Sequence, residues 1–213
     1  MKKDTRLILA LDVSCGEQAL CLAHLLEDCY DAIKIGYPLI LSAGIGIIKE
    51  ISANASVIAD LKIADIPNTN RLICEAVLEK GAIGVIAHAF PGRDSLQACA
   101  DCVKDYGADL FVVTEMSHPG AEQFLGPMAQ DLAQLAVLVD AAGVVAPATR
   151  PERIRLVRSV IGDRTIISPG VGIQGGSALE AILAGADYLI VGRSIISADD
   201  PKEKAKSIIS EIS

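Results

Sequence analysis

The sequence predicts an α/β fold, a (β/α)8 TIM barrel formed by a single domain that spans residues 1–213, and three observations lead to this fold class. Eight short apolar runs recur along the chain, and each is followed by a longer amphipathic stretch, which is typical of parallel βαβ units. The runs are continuous in Val, Ile, Leu and Ala, which favours strands covered on both faces. Eight such units in 213 residues fit a barrel near the small end of its size range.

The eight predicted strands are separated by stretches long enough for a helix. In chain order they cover residues 7–11, 32–35, 57–61, 83–87, 110–113, 143–146, 165–168 and 188–191. After the third strand, residues 66–70 predict a turn into a helix. After the sixth strand, the spacing of Thr149 and Glu152 predicts a capping box at a helix start. The chain has no linker, low-complexity tract or break in composition, so no domain boundary is predicted.

Polar and charged residues gather at the ends of these predicted strands. In chain order they are Asp12, Lys34, Asp60, Lys62, Asp65, His88, residues 114–118, residues 169–176 and residues 192–194. In a barrel these residues would meet at the C-terminal mouth, where enzymes with this fold carry their active sites. A doubly wound open sheet is the alternative, but it would scatter the same residues without a common focus. The pattern therefore favours the barrel.

Composition places the chain among ordinary soluble enzymes. Hydrophobic residues make up 51% of the sequence and charged residues 22%, which excludes global disorder. A net charge of -8 argues against a nucleic-acid surface, because phosphate binding over a wide area needs a basic patch. Trp is absent and aromatic residues are only 3%, so base-stacking platforms are not expected either. A local cluster of Lys and Arg could still bind one small phosphate.

The sequence predicts a cytoplasmic protein that does not enter a membrane. The apolar stretch near the start ends at Asp12, which is too short for a secretory signal, and the longest apolar passage, 132–148, is shorter than a membrane span and is interrupted by polar residues. The six cysteines fit a reducing compartment. Cys99 and Cys102 have the spacing of a metal-binding pair, but no second pair accompanies them, so we expect structural thiols on a helix.

The most informative segment is residues 60–65, Asp-Leu-Lys-Ile-Ala-Asp, at the end of the third strand. Side chains alternate along a strand, so Asp60 and Lys62 should point to the same face, while Asp65 should lie in the turn beyond. Two carboxylates and an ammonium at the end of an apolar strand are costly to desolvate without a use. A solvated ion pair at the strand end is the alternative interpretation.

A glycine-rich loop follows the seventh predicted strand. Gly170, Gly172 and Gly175 satisfy the spacing G-x-G-x-x-G, but the motif comes late in the chain, and the next strand ends in Gly192-Arg193 rather than in an acid that could bind a ribose. We therefore interpret the loop as a phosphate clamp in which backbone N–H groups face the anion and Arg193 adds a charged donor. A loop so rich in glycine could also move as a lid.

From about Arg6 to Pro201 the chain resembles the orotidine 5'-monophosphate decarboxylase family, most closely its compact archaeal form. The segments that carry the resemblance are residues 33–36 (Ile-Lys-Ile-Gly), 60–67 (Asp-Leu-Lys-Ile-Ala-Asp-Ile-Pro), 114–120 (Thr-Glu-Met-Ser-His-Pro-Gly) and 167–172 (Ile-Ser-Pro-Gly-Val-Gly). One departure from the archaeal pattern is Ile196, where that pattern carries a tyrosine.

The resemblance implies decarboxylation of orotidine 5'-monophosphate to uridine 5'-monophosphate without a metal or organic cofactor. It implies a catalytic tetrad of Lys34, Asp60, Lys62 and Asp65, in which Lys62 protonates C6 of the pyrimidine. Asp65 would reach into the site of a partner subunit, so the protein would be a homodimer with shared active sites.

The resemblance also implies a set of substrate-binding residues. Asp12 and Lys34, with Thr69 from the partner, would hold the ribose hydroxyls. Ser117 would hydrogen-bond the pyrimidine edge, and Gln174 would bridge base and phosphate. Arg193 and the nearby backbone would bind the phosphate, and that backbone comprises Pro169, Gly170, Val171, Gly172 and Gly192.

Two other functions share the same signature. Magnesium-dependent sugar-phosphate decarboxylases and synthases of the same suprafamily have the Asp-x-Lys-x-x-Asp motif, but they place a Glu where this chain has Lys34, and an ammonium there would repel the metal. A non-catalytic nucleotide-binding barrel is the second alternative. The complete set of two lysines and two aspartates argues against it, because a binding protein has no need of carboxylates facing an anionic ligand.

Overall fold

The computed structural model describes residues 3–212, in which eight parallel strands close into one barrel. The strands are β1 (Leu7–Ala10), β2 (Ala32–Gly36), β3 (Val57–Ile63), β4 (Gly84–His88), β5 (Asp109–Val113), β6 (Gly143–Val145), β7 (Thr165–Pro169) and β8 (Tyr188–Val191). Each strand pairs with its neighbours in chain order, and β1 pairs with β8 to close the ring. The predicted barrel is confirmed, and the open-sheet alternative is excluded.

Helices cover the outside of the barrel. They are α1 (Gly16–Leu25), α2 (Tyr37–Ala43), α3 (Ile47–Ser52), α4 (Pro67–Leu78), α5 (Arg93–Asp105), α6 (Leu125–Leu138), α7 (Pro151–Ile161), α8 (Ala178–Leu183), α9 (Arg193–Ile196) and α10 (Pro201–Glu211). Short 3-10 helices occupy Glu27–Cys29 and Pro119–Gln123. Over the described part of the chain, none of the helices combines the length and the apolarity that crossing a bilayer requires.

Strand alternation divides the core into two layers. Odd-numbered residues of β1, such as Leu7 and Leu9, pack between the barrel and the helices. Even-numbered residues, such as Ile8 and Ala10, fill the barrel interior together with Phe111 from β5. Both faces of each strand are therefore buried, which explains the continuous apolar runs in the sequence.

The third strand differs most from its predicted bounds, because it continues to Ile63 instead of ending at Leu61. Its register against β4 shifts between Ala59, which lies opposite Val85, and Ile63, which lies opposite Ala87. Four steps on β3 thus match two on β4, so β3 bulges by two residues. An even number preserves the alternation of side chains between the two faces. Asp60 and Lys62 therefore point to the same side, as predicted.

Candidate active site

A cavity of about 520 Å³ opens at the C-terminal ends of the strands. Its lining residues come from the strands other than β5, near their C-terminal ends, and from loops that follow the strands, including the loop after β5. Eleven of the residues predicted for the site are among them: Asp12, Lys34, Asp60, Lys62, Ser117, Pro169, Gly170, Val171, Gln174, Gly192 and Arg193. The barrel therefore brings most of the predicted site together, although these residues are spread over most of the chain.

Charged side chains of β2, β3 and the loop after β1 form a continuous array in this cavity. Lys34 Nζ lies 3.2 Å from Asp12 Oδ1 and 3.2 Å from Asp60 Oδ2. Lys62 Nζ donates to both oxygens of Asp60, at 2.7 and 2.9 Å. The carboxylate of Asp60 is thus held between two ammonium groups, and the array alternates in sign from Asp12 to Lys62. The alternative interpretation of the 60–65 segment as a solvated ion pair is therefore wrong, because Asp60 is buried and is paired with Lys34, which is also buried.

The array keeps its inner members charged. Burial lowers the pKa of Lys34, but the Asp60 and Asp12 carboxylates outweigh burial and leave that pKa above its ordinary value. Burial raises the pKa of Asp60, but Lys34 and Lys62 outweigh it and leave that pKa below its ordinary value. Both groups therefore stay ionised over the neutral range, and the site presents fixed charges that need not reorganise during a reaction.

Local backbone features allow this close approach. A Cβ on Gly36, at the end of β2, would lie 3.3 Å from Asp12 Oδ1 and 3.5 Å from Lys34 Nζ, so the glycine leaves room for the ion pair. Lys62 itself has φ of 45°, in the left-handed region that side chains other than glycine adopt uncommonly. Such local strain persists only where the surroundings enforce it, which is common at functional sites.

One wall of the cavity is apolar, and its residues were not predicted from the sequence to belong to the site. Ile86, Val145 and Ile190 lie there, with Met116 beside Ser117 on the loop after β5. The signal was available in strand alternation, because Ile86 and Ile190 belong to the inward-facing set of residues. Apolar groups against the charged array lower the local dielectric and strengthen its field.

The glycine-rich loop after β7 folds back on itself. Gly172 N–H donates to Gly176 O at 3.0 Å, and Gly176 N–H donates to Gly170 O at 3.0 Å. Gly172 has φ of 77°, and a Cβ on it would lie 2.3 Å from Ser194 Oγ, so this position requires glycine. A side chain at this position would point toward Ser194, and Gly172 is not among the described residues that line the cavity. The exposed side chains of Gln174 and Arg193 border the cavity beside the loop.

Asp65 and Thr69 do not line the cavity that residues 3–212 form. Asp65 lies in the turn before α4 and is exposed. Its backbone is held on both sides, because its N–H donates to Asn70 Oδ1 at 2.9 Å and its carbonyl accepts from Ser95 Oγ at 2.8 Å. Asn70, which is 1% exposed, also donates to Ser95. This buried network, which the sequence did not predict, fixes the turn and leaves the Asp65 carboxylate at the surface.

Between residues 3 and 212, no group of three or more His, Cys, Asp or Glu side chains is arranged to hold a metal ion. Cys99 and Cys102 are buried thiols on α5, where the sequence analysis placed structural cysteines.

His88 is a buried residue near the charged array. It ends β4 on the same side as Ile86, its ring lies 4.9 Å from that of Phe90, and its Nδ1 is buried without a hydrogen-bond partner among the described residues. Burial, with a smaller contribution from the positive charge of Lys62, lowers the pKa of His88 to about 4. The imidazole is therefore neutral at neutral pH.

The pKa of His88 is lower in the folded chain than in the unfolded chain, where it has its ordinary value of about 6.5. This difference predicts a pH dependence of stability. As the pH falls from about 6.5 to about 4, the unfolded chain takes up a proton at position 88 that the folded chain does not, so the free energy of unfolding decreases. His88→Gln should remove this part of the decrease, by up to ~1.4 kcal/mol per pH unit within that window. Urea denaturation at pH 4.5, 5.5 and 7 would measure it.

His24→Gln is the matched control, because the His24 side chain is 84% exposed on α1. Its pH profile should follow that of the unmodified protein. If His88→Gln gives that same profile, then His88 is protonated equally in the folded and unfolded chains, and the inferred desolvation is wrong.

Comparison with known proteins places this site in context. A sequence profile described as "Orotidine 5'-phosphate decarboxylase / HUMPS family" matches residues 5–208. The chain is 56% identical to the orotidine 5'-phosphate decarboxylase of Methanococcoides burtonii, over 100% of this chain and 99% of the relative. It is 57% identical to that of Methanosarcina mazei, over 100% of this chain and 97% of the relative.

Solved structures agree with this comparison. The crystal structure of orotidine 5'-monophosphate decarboxylase from Methanocaldococcus jannaschii, complexed with the inhibitor BMP, matches with a TM-score of 0.93 at 44% identity over 97% of each chain. The orotidine 5'-phosphate decarboxylase of Pyrococcus horikoshii matches with a TM-score of 0.89 at 45% identity, over 97% of this chain and 98% of the other.

Proposed function

This chain belongs to the orotidine 5'-phosphate decarboxylase / HUMPS family, and on that premise we propose that it converts orotidine 5'-monophosphate to uridine 5'-monophosphate and carbon dioxide. The observation that carries the proposal is the array of Lys34, Asp60 and Lys62 in the cavity at the C-terminal end of the barrel. The two lysines flank one carboxylate, and Lys62 stands at the open end of the array.

In the proposed reaction, the bond between C6 of the pyrimidine and its carboxylate carbon breaks, and the electron pair stays on C6. Water stabilises such a vinyl carbanion poorly. The Lys62 ammonium, held by Asp60, stabilises the charge as it develops and transfers a proton to C6, while carbon dioxide departs. Lys62 is left as a neutral amine and regains its proton from solvent.

Asp60 has two roles in this scheme. It orients Lys62 through two hydrogen bonds, and its own charge lies close to where the substrate carboxylate would sit. Repulsion between two carboxylates raises the energy of the bound substrate and is relieved as carbon dioxide leaves. With Asp65 the proposed tetrad sums to zero charge, so it can be buried as a network at less cost than any one member alone.

Substrate binding is assigned to the rim of the cavity. Asp12 and Lys34 hold the ribose hydroxyls, Ser117 hydrogen-bonds the pyrimidine edge, and Gln174 bridges base and phosphate. The phosphate binds Arg193 and the backbone around residues 169–172 and 192. Because the phosphate site is remote from C6, its binding energy can hold the substrate in the reactive position.

We further infer a symmetric cytoplasmic homodimer in which Asp65 and Thr69 complete the partner's site. Support comes from the hydrogen-bonded turn that leaves Asp65 exposed and outside the lining of its own cavity. Ile66, directly after Asp65, is 64% exposed, and Leu72 on α4 is 58% exposed. Apolar residues beside an outward-facing carboxylate are suited to a buried contact between two copies of the chain.

The reaction should need no metal ion. Lys34 Nζ lies 3.2 Å from both Asp12 and Asp60, the carboxylates that a divalent cation would otherwise bridge, and its charge would repel the cation. We therefore expect loss of orotidine 5'-monophosphate absorbance at the same rate before and after exhaustive treatment with a chelator. Activity that disappears with the chelator and returns with magnesium would instead favour a sugar-phosphate enzyme of the same suprafamily.

A further inference from the structure

Glu115 is a completely buried carboxylate that the proposed reaction does not use. It follows β5, is 0% exposed, and is not among the described residues that line the cavity. Its neighbours Met116 and Ser117 do line the cavity. A buried charge is costly unless it is paired, so the partners of Glu115 indicate what it does.

Those partners are two arginines from the loop after β6 and the start of α7. Arg150 Nε donates to Glu115 Oε1 at 2.8 Å, and Arg153 Nε lies 3.3 Å from Glu115 Oε2. The side chain of Arg150 is only 12% exposed. Helix α6 closes over the pair, because a Cβ on Gly126 would lie 3.4 Å from Arg153 and 3.5 Å from Glu115. The Glu115 carboxylate therefore orients Arg150 through a hydrogen bond, while Arg153 lies at ion-pair distance from its second oxygen, which accepts no hydrogen bond from the described residues.

Arg150 in turn hydrogen-bonds to the backbone of the loop that forms part of the cavity wall. Its Nη2 donates to the carbonyl of Met116 at 2.5 Å, and Thr149 Oγ1 next to it donates to the carbonyl of Ser117 at 3.1 Å. Two consecutive backbone carbonyls of the loop after β5 are thus fixed from the loop after β6. We call this set of residues, Glu115, Thr149, Arg150 and Arg153, the loop clamp.

We propose that Glu115 is a positioning residue that, through Arg150, sets the Met116–Ser117 backbone so that the cavity accepts a pyrimidine ring. This rests on the proposed function, in which Ser117 contacts the pyrimidine edge. The phosphate site lies on the loops after β7 and β8. Of the clamp residues, Thr149 lies beside Gly170 of the first of these loops, but the link from Glu115 through Arg150 ends on the carbonyl of Met116 in the loop after β5. Loss of the Glu115–Arg150 link should therefore weaken recognition of the base and spare recognition of the phosphate.

The test compares two ligands in Glu115→Gln. The amide keeps the size of the side chain but not the charge that pairs with two arginines, and weakening a charged hydrogen bond costs enough to change affinity by ~10-fold. Calorimetry should show the Kd of uridine 5'-monophosphate rising by ~10-fold, with that of ribose 5-phosphate within ~2-fold. In kinetics, KM for orotidine 5'-monophosphate should rise more than kcat falls, because ground-state recognition of the base is what is lost.

Glu122→Gln is the matched control, because Glu122 contacts the same arginine, with its Oε1 3.4 Å from Arg150 Nη1, from an exposed position. It should leave both ligand affinities unchanged. Equal losses for both ligands in Glu115→Gln would mean a general structural role and would overturn the proposal, as would no loss for either. If Glu115→Gln does not fold, Arg150→Met breaks the same link and should give the same selectivity between ligands.

A second measurement separates this proposal from the proposed function. Hydrogen exchange of the ligand-free protein should be faster over residues 114–120 in Glu115→Gln and unchanged over residues 169–176. This outcome does not depend on any substrate. A wild-type protein that fails to decarboxylate orotidine 5'-monophosphate would refute the function, whereas unchanged exchange over residues 114–120 would refute the clamp.

Discussion

Lys62→Ala is expected to lower kcat for orotidine 5'-monophosphate by several orders of magnitude. In the proposed mechanism the ammonium acts on a carbanion that exists only in and after the transition state, so its removal should raise the barrier without a matching loss of substrate binding. The remaining Lys34 cannot replace it, because Lys34 is already engaged by Asp12 and Asp60. Steady-state assays would give kcat, and calorimetry with uridine 5'-monophosphate would show that the phosphate is still bound.

Lys49→Ala is a suitable control, since Lys49 is exposed on α3 and the same charge is removed far from the cavity. It should keep wild-type activity. A loss in Lys62→Ala of less than about tenfold, or ~1.4 kcal/mol in the barrier, would mean that another group delivers the proton to C6.

Mixing two inactive variants should restore activity if the active sites are shared. Asp60→Ala and Asp65→Ala are each expected to be nearly inactive alone, because each removes one carboxylate of the proposed tetrad. In a mixed dimer, one site would carry both defects and the other neither. Random exchange makes half of the dimers mixed, so the recovered activity should approach a quarter of the wild-type value.

Exchange of subunits must be measured independently, for example by mass spectrometry of differently labelled variants. Asp60→Ala mixed with Lys62→Ala is the control, because both residues belong to the cavity of their own chain, so every site in a mixed dimer keeps one defect. No recovery with Asp65→Ala despite complete exchange would place Asp65 in the site of its own subunit and refute the shared-site dimer.

The sequence alone was sufficient to predict the barrel and many of the residues that line the cavity. The eight strands begin and end within two residues of their predicted positions, because apolar runs and the polar residues after them are local signals. Strand alternation also placed Asp60 and Lys62 on one face, and the observed bulge keeps that result because it adds an even number of residues. The general rule that strand ends meet at one mouth then brought Asp12 and Arg193 into the same cavity.

Other features depended on contacts that no local pattern encodes. The left-handed backbone of Lys62 follows from the register shift between β3 and β4, and the contact of Gly172 with Ser194 follows from how the loop after β7 lies against α9. The exposed position of Asp65 depends on hydrogen bonds from its backbone to Asn70 and Ser95, and Ser95 lies 30 residues after Asp65 in the chain.

The loop clamp depends on tertiary structure in the same way, because Glu115 and Arg150 are 35 residues apart and meet only when β5 and β6 pair. Periodicity and residue type decide which segments become strands and which side chains face inward. Which side chains then meet depends on the closure of the barrel, because only the packed chain fixes distances between residues that are remote in sequence and removes their charges from water.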